Sequence, residues 1–415
     1  IDNGKFEKIK TIGWPNSLGH FYSAFTGFLG FKMLEGEYKM MGLSPYGEPR
    51  FKDIILTEIL TKLPNGDYKL NTNILNYHAA LRGKFSKKFI DLIGTPRKPN
   101  DEFTQFHRDV AASVQNASEE ILVHLLSWAK QKFPDYTSLC IAGGCGLNVS
   151  ANGEVSKKGI FENILIPPAP HDAGASIGAA FLSYIGKEEN KTKLVSMKTP
   201  YLGKSYSDSD ICEVFERMNL TIPEHYQEEQ FIEIVSEALS NKNVVAWFQG
   251  GSEFGPRALG NRSFLADPRH ESIREILNVK IKKRELFRPF APSCKEESAS
   301  EYFEINQKSP YMNIVAKVKV EKLDIIPAIT HIDGSARVHT VSKNTNKLYW
   351  KLLDSFESKT GVSVLLNTSF NIQEPIVESP SQAIDCFLRS SVDLLAIGGY
   401  ICDHKWREIA LKDNK

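Results

Sequence analysis

Four segments of this chain set cations and short polar side chains among glycine and proline. Gly250–Arg269 reads GGSEFGPRALGNRSFLADPR and places Arg257, Arg262 and Arg269 directly after the apolar run Val244–Phe248. Asn278–Ser293 reads NVKIKKRELFRPFAPS, with Lys282 and Arg288 near Phe287, Phe290 and Ala291. DGSARVHT carries Arg337, and LLNTSFN carries Ser369 and Asn371. Glycine lets a backbone come close to a ligand. Arginine's planar fork suits phosphate or carboxylate, and lysine adds a compact charge. Pro289 biases Arg288 towards extended backbone, and its apolar surroundings make an unpaired cation expensive. An anion fits this combination. Lys280 and Lys283, by contrast, read as solvated helix-end charges.

Three apolar runs lead into polar turns: Leu139–Ala142 into GGCGLN, Val244–Phe248 into QGGSEFGPR, and Val362–Leu366 into NTSFN. Strand carboxyl ends are where α/β folds bind ligands, and glycine-rich turns there present N–H groups to phosphate. Each turn also has a plainer reading. Gly143 and Gly144 make an ordinary turn, as do Asn367, Ser369 and Asn371. Cys145 fits as a small packed residue. Asp172, ahead of a Gly/Ala-rich helix, is a good N-cap.

Apolar spacing predicts the elements that position these residues. Helices are expected over 17–34, capped by Ser17, and over 103–133. Residues 36–50 read as a Gly/Pro-rich loop, 51–100 as a short helix and a hairpin around LPNGDYKL, and a small-residue helix starts near Asp172. The charged stretch 186–196 reads as a linker between domains at 1–190 and 197–415. Beyond it, strands over 244–248, 312–320, 362–366 and 394–397 alternate with helices over 231–239, 271–277, 347–359 and 381–390. Mixed α/β layers follow.

Bulk properties narrow the function classes. With 415 residues and a net charge of +1, the chain has no field favouring nucleic acid or membrane as partner. Six scattered cysteines form no CxxC pair, which speaks against a zinc cluster and for the reducing cytoplasm. No apolar run reaches the length of a transmembrane helix.

Taken in order, GGSEFGPRALGNRSFLADPR, KKRELFRPFAPS, DGSARVHT and LLNTSFN resemble the C-terminal domain of ATP-dependent O-carbamoyltransferases, the family of nodulation-factor and antibiotic carbamoylating enzymes. GEYKMMGLSPYG, GGCGLN and PPAPHDAGASIGAA resemble the second half of that family's N-terminal domain. The resemblance implies a partial actin-like ATPase domain, similar to the tRNA threonylcarbamoylating ATPase, followed by a YrdC-like α/β domain. It implies that carbamoyl phosphate and ATP form carbamoyl adenylate in the second domain. The carbamoyl group would then pass to a hydroxyl of a sugar or other natural product near a divalent metal, iron or magnesium, in the first. Lys282 and Arg288 correspond to carbamoyl phosphate contacts. Arg337, Ser369 and Asn371 correspond to groups holding acyl phosphate and nucleotide. Arg257 and Arg262 either join them or brace the loop. Gly36, Glu37 and Lys39 match a nucleotide-contacting segment; Gly143, Gly144, Cys145 and Asn148 match a phosphate loop; Asp172 matches a metal-ligating aspartate.

The family's opening half supplies a histidine pair at helical spacing, and no HxxxH occurs here. The expectation is an incomplete metal site, with the missing half on the same longer chain or on a separate one, and a possible homodimer. Two other functions compete: threonylcarbamoyl adenylate synthesis for tRNA, against which the absence of a basic stripe argues, and a non-catalytic nucleotide-binding partner.

Overall fold

The computed structural model describes residues 7–77, 85–186 and 197–413. They form two compact units divided between Val195 and Ser196. All but the first residue of the expected linker 186–196 lies outside the described residues.

In the first unit, Ser17 Oγ accepts the His20 N–H and starts the helix Leu18–Phe28, which buries Phe21, Phe25 and Phe28. The helix ends six residues short of the expected Leu34, because Gly30 turns the chain through left-handed backbone (φ 75°). The expected loop over 36–50 is instead largely helical, Glu37–Leu43 and then a 3₁₀ turn Ser44–Tyr46. Burial of Met40 and Leu43 outweighs the Gly/Pro-rich composition there. β1 (Leu60–Leu63) and β2 (Asp67–Leu70) form the expected hairpin. The long helix Gln105–Lys132 starts at a capping box in which Thr104 N–H donates to His107 Nδ1 (3.0 Å). β3 (Ser138–Cys140) and β4 (Asn163–Leu165) pair in parallel, with Leu139 beside Ile164. A 3₁₀ turn, Asp172–Gly174, leads into the helix Ala175–Ile185.

The second unit is built on one nine-stranded mixed sheet. Its strands are β5 (Glu224–His225), β6 (Val245–Phe248), β7 (Arg262–Ala266), β8 (Ala291–Lys295), β9 (Ile314–Lys317), β10 (Ser335–Val341), β11 (Val364–Ser369), β12 (Leu394–Ile397) and β13 (Tyr400–Cys402). Their order is β5-β13-β12-β6-β7-β11-β8-β10-β9. β12 runs parallel to β6 and β10 to β8; the other pairings are antiparallel.

Three of these strands lie in segments expected to be ligand loops. β7 is RSFLA from the arginine-rich stretch, β8 follows FRPF, and β10 contains Arg337. Pairing with buried neighbours on both sides decides these segments, and local Gly and Pro content does not. For the same reason Asn367–Ser369 lie inside β11 and not in the turn after it. The expected helix over 271–277 is Ser272–Glu275, continued by a π-helical turn Ile276–Ile281.

Helices Glu228–Ser240 and Lys347–Thr360 pack against each other and bury Phe231, Tyr349, Leu352 and Phe356. Trp247 donates its indole N–H to Gly260 O (2.8 Å). Gly260 has φ 96°, and a Cβ there would lie 2.2 Å from the Tyr349 ring. Gly260→Ala should therefore cost about 2–3 kcal/mol from overpacking and backbone strain. A drop in the urea midpoint of the second unit would measure it.

Candidate functional site

Lys282 follows the π-helical turn and closes it, its N–H donating to Leu277 O (2.7 Å). The side chain is 2% exposed. Its ammonium donates to Ser369 O, Ser369 Oγ (3.2 Å), Asn371 O (2.8 Å) and Asn371 Oδ1 (2.7 Å), and lies 4.9 Å from the Phe264 ring centre. Ser369 Oγ donates to Asn371 Oδ1 (2.7 Å). Lys282, Ser369 and Asn371 thus form one cluster. Burial first, then the Arg284 charge, push the Lys282 pKa well below the ordinary lysine value, and Arg288 pushes the same way.

Arg288 is half-buried, with Nη1 3.9 Å from Glu285. Fully buried Asn278 fixes the turn between them, donating to Arg288 O (3.2 Å) and accepting Arg284 Nε (2.7 Å). Arg284 lies over Phe290 at 4.7 Å. Neither Asn278 nor Arg284 is singled out by the sequence reading, although both lie in NVKIKKRELFRPFAPS. An amide in a basic, proline-bounded turn is the signal that marks Asn278.

A second cationic group lies on β10, separated from β11 by β8. Arg337 donates Nε–H to Met312 O (2.8 Å), a carbonyl aimed by the left-handed backbone of Met312 (φ 58°). Its Nη2 is shut off from solvent without a hydrogen-bond partner. Burial, and then the charge of Arg257, disfavour the Arg337 cation. Arg257 is half-buried, in a loop tied to the sheet by Asn367, whose Nδ2 donates to Ala258 O (3.2 Å) and Ser293 Oγ (2.9 Å).

The other two arginines of the stretch do different work. Arg262 is fully buried on β7, its guanidinium 3.6 Å from the Phe248 ring centre. Its Nη atoms donate to the carbonyls of Gln249 (2.6 Å), Asn261 (2.9 Å), Gly250 (3.1 Å) and Lys204 (3.4 Å). Of the two readings open from the sequence, this geometry is that of a brace. Arg269 is paired with buried Asp267, Nη2 to Oδ2 at 2.6 Å. Glu253 completes the loop: its Oε1 accepts the N–H groups of Leu259 (2.7 Å), Asn261 (2.8 Å) and Arg262 (3.2 Å). It too escapes the sequence reading, though a carboxylate among glycine-rich N–H groups is a visible signal.

In the first unit, helix Leu18–Phe28 holds the expected nucleotide-contacting groups. Ser23 donates to Glu37 Oε1 (2.6 Å), which also accepts Leu34 N–H (2.7 Å). Gly36 caps the Glu37 helix, and Lys39 lies 5.9 Å from the Phe31 ring centre. Tyr22 donates to Gln115 Oε1 (2.7 Å), and Gln115 exchanges amide hydrogen bonds with Asn148 (3.0 and 3.2 Å). Asn148 also caps the helix Val149–Lys157. Gly143, Gly144 and Cys145 are exposed, and Gly143 N–H donates to Pro170 O (2.6 Å), two residues before Asp172. The phosphate-loop residues and the aspartate are therefore neighbours. Asp172 is exposed, and among the described residues no group of three or more His, Cys, Asp and Glu side chains is placed to hold a metal. The donor set present does not fit a metal around Asp172.

His339 on β10 joins the buried polar chain behind the site, its Nδ1 2.7 Å from Ser293 Oγ. Burial lowers its pKa from 6.5 to about 3. Between those values an unfolded chain binds a proton that the fold refuses. Stability should fall as pH drops through that window, by up to about 1.4 kcal/mol per pH unit. Urea unfolding at pH 7 and pH 5 should show the loss, and His339→Gln should remove most of the difference.

Residues 2–181 match the family described as Carbamoyltransferase N-terminus, and residues 236–404 match Carbamoyltransferase C-terminus. Nodulation protein NolO of Bradyrhizobium diazoefficiens is 40% identical over 93% of this chain and 69% of its own length. Nodulation protein NolNO of Sinorhizobium fredii is 37% identical over 97% of this chain and 59% of its own length. An uncharacterised Synechocystis protein is 42% identical over 96% of the chain and 70% of its own length. Among the described residues no helix is long and apolar enough to cross a membrane. With both family descriptions matched in order and NolO alike over 93% of this chain, the chain belongs to the carbamoyltransferase family of enzymes.

Proposed function

We propose that the second unit makes carbamoyl adenylate from carbamoyl phosphate and ATP, and that the carbamoyl group then passes to a hydroxyl of a sugar or other natural product. The balance requires carbamoyl phosphate, ATP and water to give carbamoyl adenylate, phosphate and pyrophosphate. On this reading the second unit is a YrdC-like domain, the first is part of an actin-like domain, and the protein works in the cytoplasm.

One observation carries the first reaction: Arg337 keeps a buried, unpartnered N–H while a second guanidinium, Arg257, presses on it electrostatically. A guanidinium does not lose its proton in a protein. Two such cations side by side are expensive unless an anion joins them. Carbamoyl phosphate and ATP repel each other, and clustered cations offset that repulsion and the charge developing at the reacting phosphorus. Lys282 has a different part. Its donors are spent on Ser369 and Asn371, so it orders these two groups, while Arg288 stands half-exposed near it. A hydroxyl acceptor fits the family better than tRNA, since the chain has a net charge of only +1.

The exposed Gly143–Cys145 turn, set beside the Pro170–Asp172 turn, is the place proposed for the second step. Any metal for that step needs donors in addition to Asp172, so no step is routed through one here.

Arg337→Ala should lower pyrophosphate release from ATP plus carbamoyl phosphate by about 100-fold or more, the usual cost of losing one positioned charge donor. A coupled pyrophosphate assay reads this directly. Wild-type protein that releases no pyrophosphate, or an Arg337→Ala variant that retains it, would rule the reading out.

A further inference from the structure

We infer that Asn367 is a specificity-determining residue of the second unit: its Oδ1 accepts an N–H of the carbamoyl group, so that carbamoyl phosphate is held and acyl phosphates without that N–H are rejected. The inference rests on the reading that carbamoyl phosphate occupies the Arg337–Arg257 site.

A buried acceptor without a donor is the first observation. Asn367 lies on β11 and is 1% exposed. A carboxamide has two N–H donors on its nitrogen and an acceptor oxygen. Here Nδ2 donates to Ala258 O (3.2 Å) and Ser293 Oγ (2.9 Å), which uses both N–H groups. Because a backbone carbonyl can only accept, Ala258 O fixes which end of the amide is nitrogen. The other end, Oδ1, is shut off from solvent without a hydrogen-bond partner. A buried amide oxygen left so is costly, and it asks for a donor that the described residues do not supply.

Its position relative to Arg337 is the second observation. Side chains alternate between the faces of a sheet. His339 on β10 pairs with Ser293 on β8, so Arg337 and Ala291, each two residues earlier, share one face. Ala291 in turn pairs with Asn367 on β11. Arg337 and Asn367 therefore rise from the same face, with their backbones two strand spacings, or about 10 Å, apart. The strand between them carries the methyl group of Ala291, which clusters with Leu259 and Met312 and makes the ground there apolar. The Arg257 loop serves both ends. Arg257 bears electrostatically on Arg337, and the next residue, Ala258, gives its carbonyl to Asn367.

The two unpartnered groups have opposite needs. Arg337 Nη2 is a buried donor and calls for an anion, whereas Asn367 Oδ1 is a buried acceptor and calls for an N–H. Carbamoyl phosphate brings both, phosphate oxygens at one end and an NH2 group at the other. Acetyl phosphate has the same charged end and nearly the same shape, with a methyl group in place of the NH2. It would leave Oδ1 buried and unpaired, and a site built to hydrogen-bond an N–H rejects the analogue that lacks it.

Titration calorimetry with each acyl phosphate, in the absence of ATP, tests this. The wild-type chain should bind carbamoyl phosphate at least about tenfold more tightly than acetyl phosphate. Asn367→Leu removes the acceptor within a side chain of similar size and should bring the two affinities to within about twofold of each other. An Asn367 that only ties down the loop would, on substitution, weaken both ligands alike and leave their ratio unchanged; that result overturns the inference. Asn367→Asp keeps an acceptor oxygen and should keep the preference. It also carries the test if urea unfolding shows Asn367→Leu to be unfolded, and loss of the preference in folded Asn367→Asp counts against the inference equally. Equal affinity of the wild-type chain for the two acyl phosphates, both weakened by Arg337→Ala, would remove the role of Asn367 and leave the anion site standing. Absence of binding by either one, or binding indifferent to Arg337→Ala, would remove the carbamoyl phosphate reading and the inference with it.

Discussion

A positive charge taken out of water must be given oxygen or an opposite charge, and the second unit is organised by how it meets that demand. Three cations show three solutions. Arg262 gives both Nη groups to nearby carbonyls and is stacked on Phe248, so the fold absorbs most of its charge, although its Nε is buried without a hydrogen-bond partner. Lys282 is absorbed too, by oxygens of Ser369 and Asn371. Arg337 receives one carbonyl, keeps a buried N–H without a partner, and has Arg257 as its charged neighbour. On the proposed reading, that Arg337 N–H is the one a ligand anion would take.

The sheet makes this arrangement possible. Because β8 separates β11 from β10, Ser369 of the Lys282 cluster and Arg337 stand on strands two apart in one sheet. Behind them runs a buried polar chain, from Ala258 O through Asn367 and Ser293 to His339. It links the Arg257 loop to the strands on which Arg337 and Ser369 sit. Glu253 works from the other side of that loop, gathering three N–H groups on one oxygen. Both devices reduce the freedom of the Arg257 loop before any ligand arrives, which is how a site avoids reorganisation when charge develops.

Much of this was legible in the residues, and the failures share a cause. Long periodic helices such as Gln105–Lys132 and Lys347–Thr360 follow from spacing alone, as does the hairpin around Asn65–Gly66. β7, β8 and β10 did not follow, because their sequences are punctuated by Gly, Pro and Arg and become strands only through pairing with distant partners. The candidate site divides in the same way. Residue type and order pointed to Lys282, Arg288, Arg337, Ser369 and Asn371. Nothing local could distinguish Arg257, beside another guanidinium, from Arg262, wrapped in carbonyls five residues later. Asn278 and Glu253 were missed because their importance lies in the backbone groups they hold, and a single sequence does not show where those groups will be.

The first unit repeats the theme with apolar surface in place of charge. Helix Leu18–Phe28 organises Glu37, Gln115 and through it Asn148, three residues past the exposed Gly143–Cys145 turn. Immediately beyond that turn the construction changes. Asp172 stands exposed without companion metal donors among the described residues, and the uncharged helix that follows it buries none of its residues. An isolated aspartate and an uncovered apolar helix arise from different forces, one electrostatic and one hydrophobic, yet they adjoin in sequence.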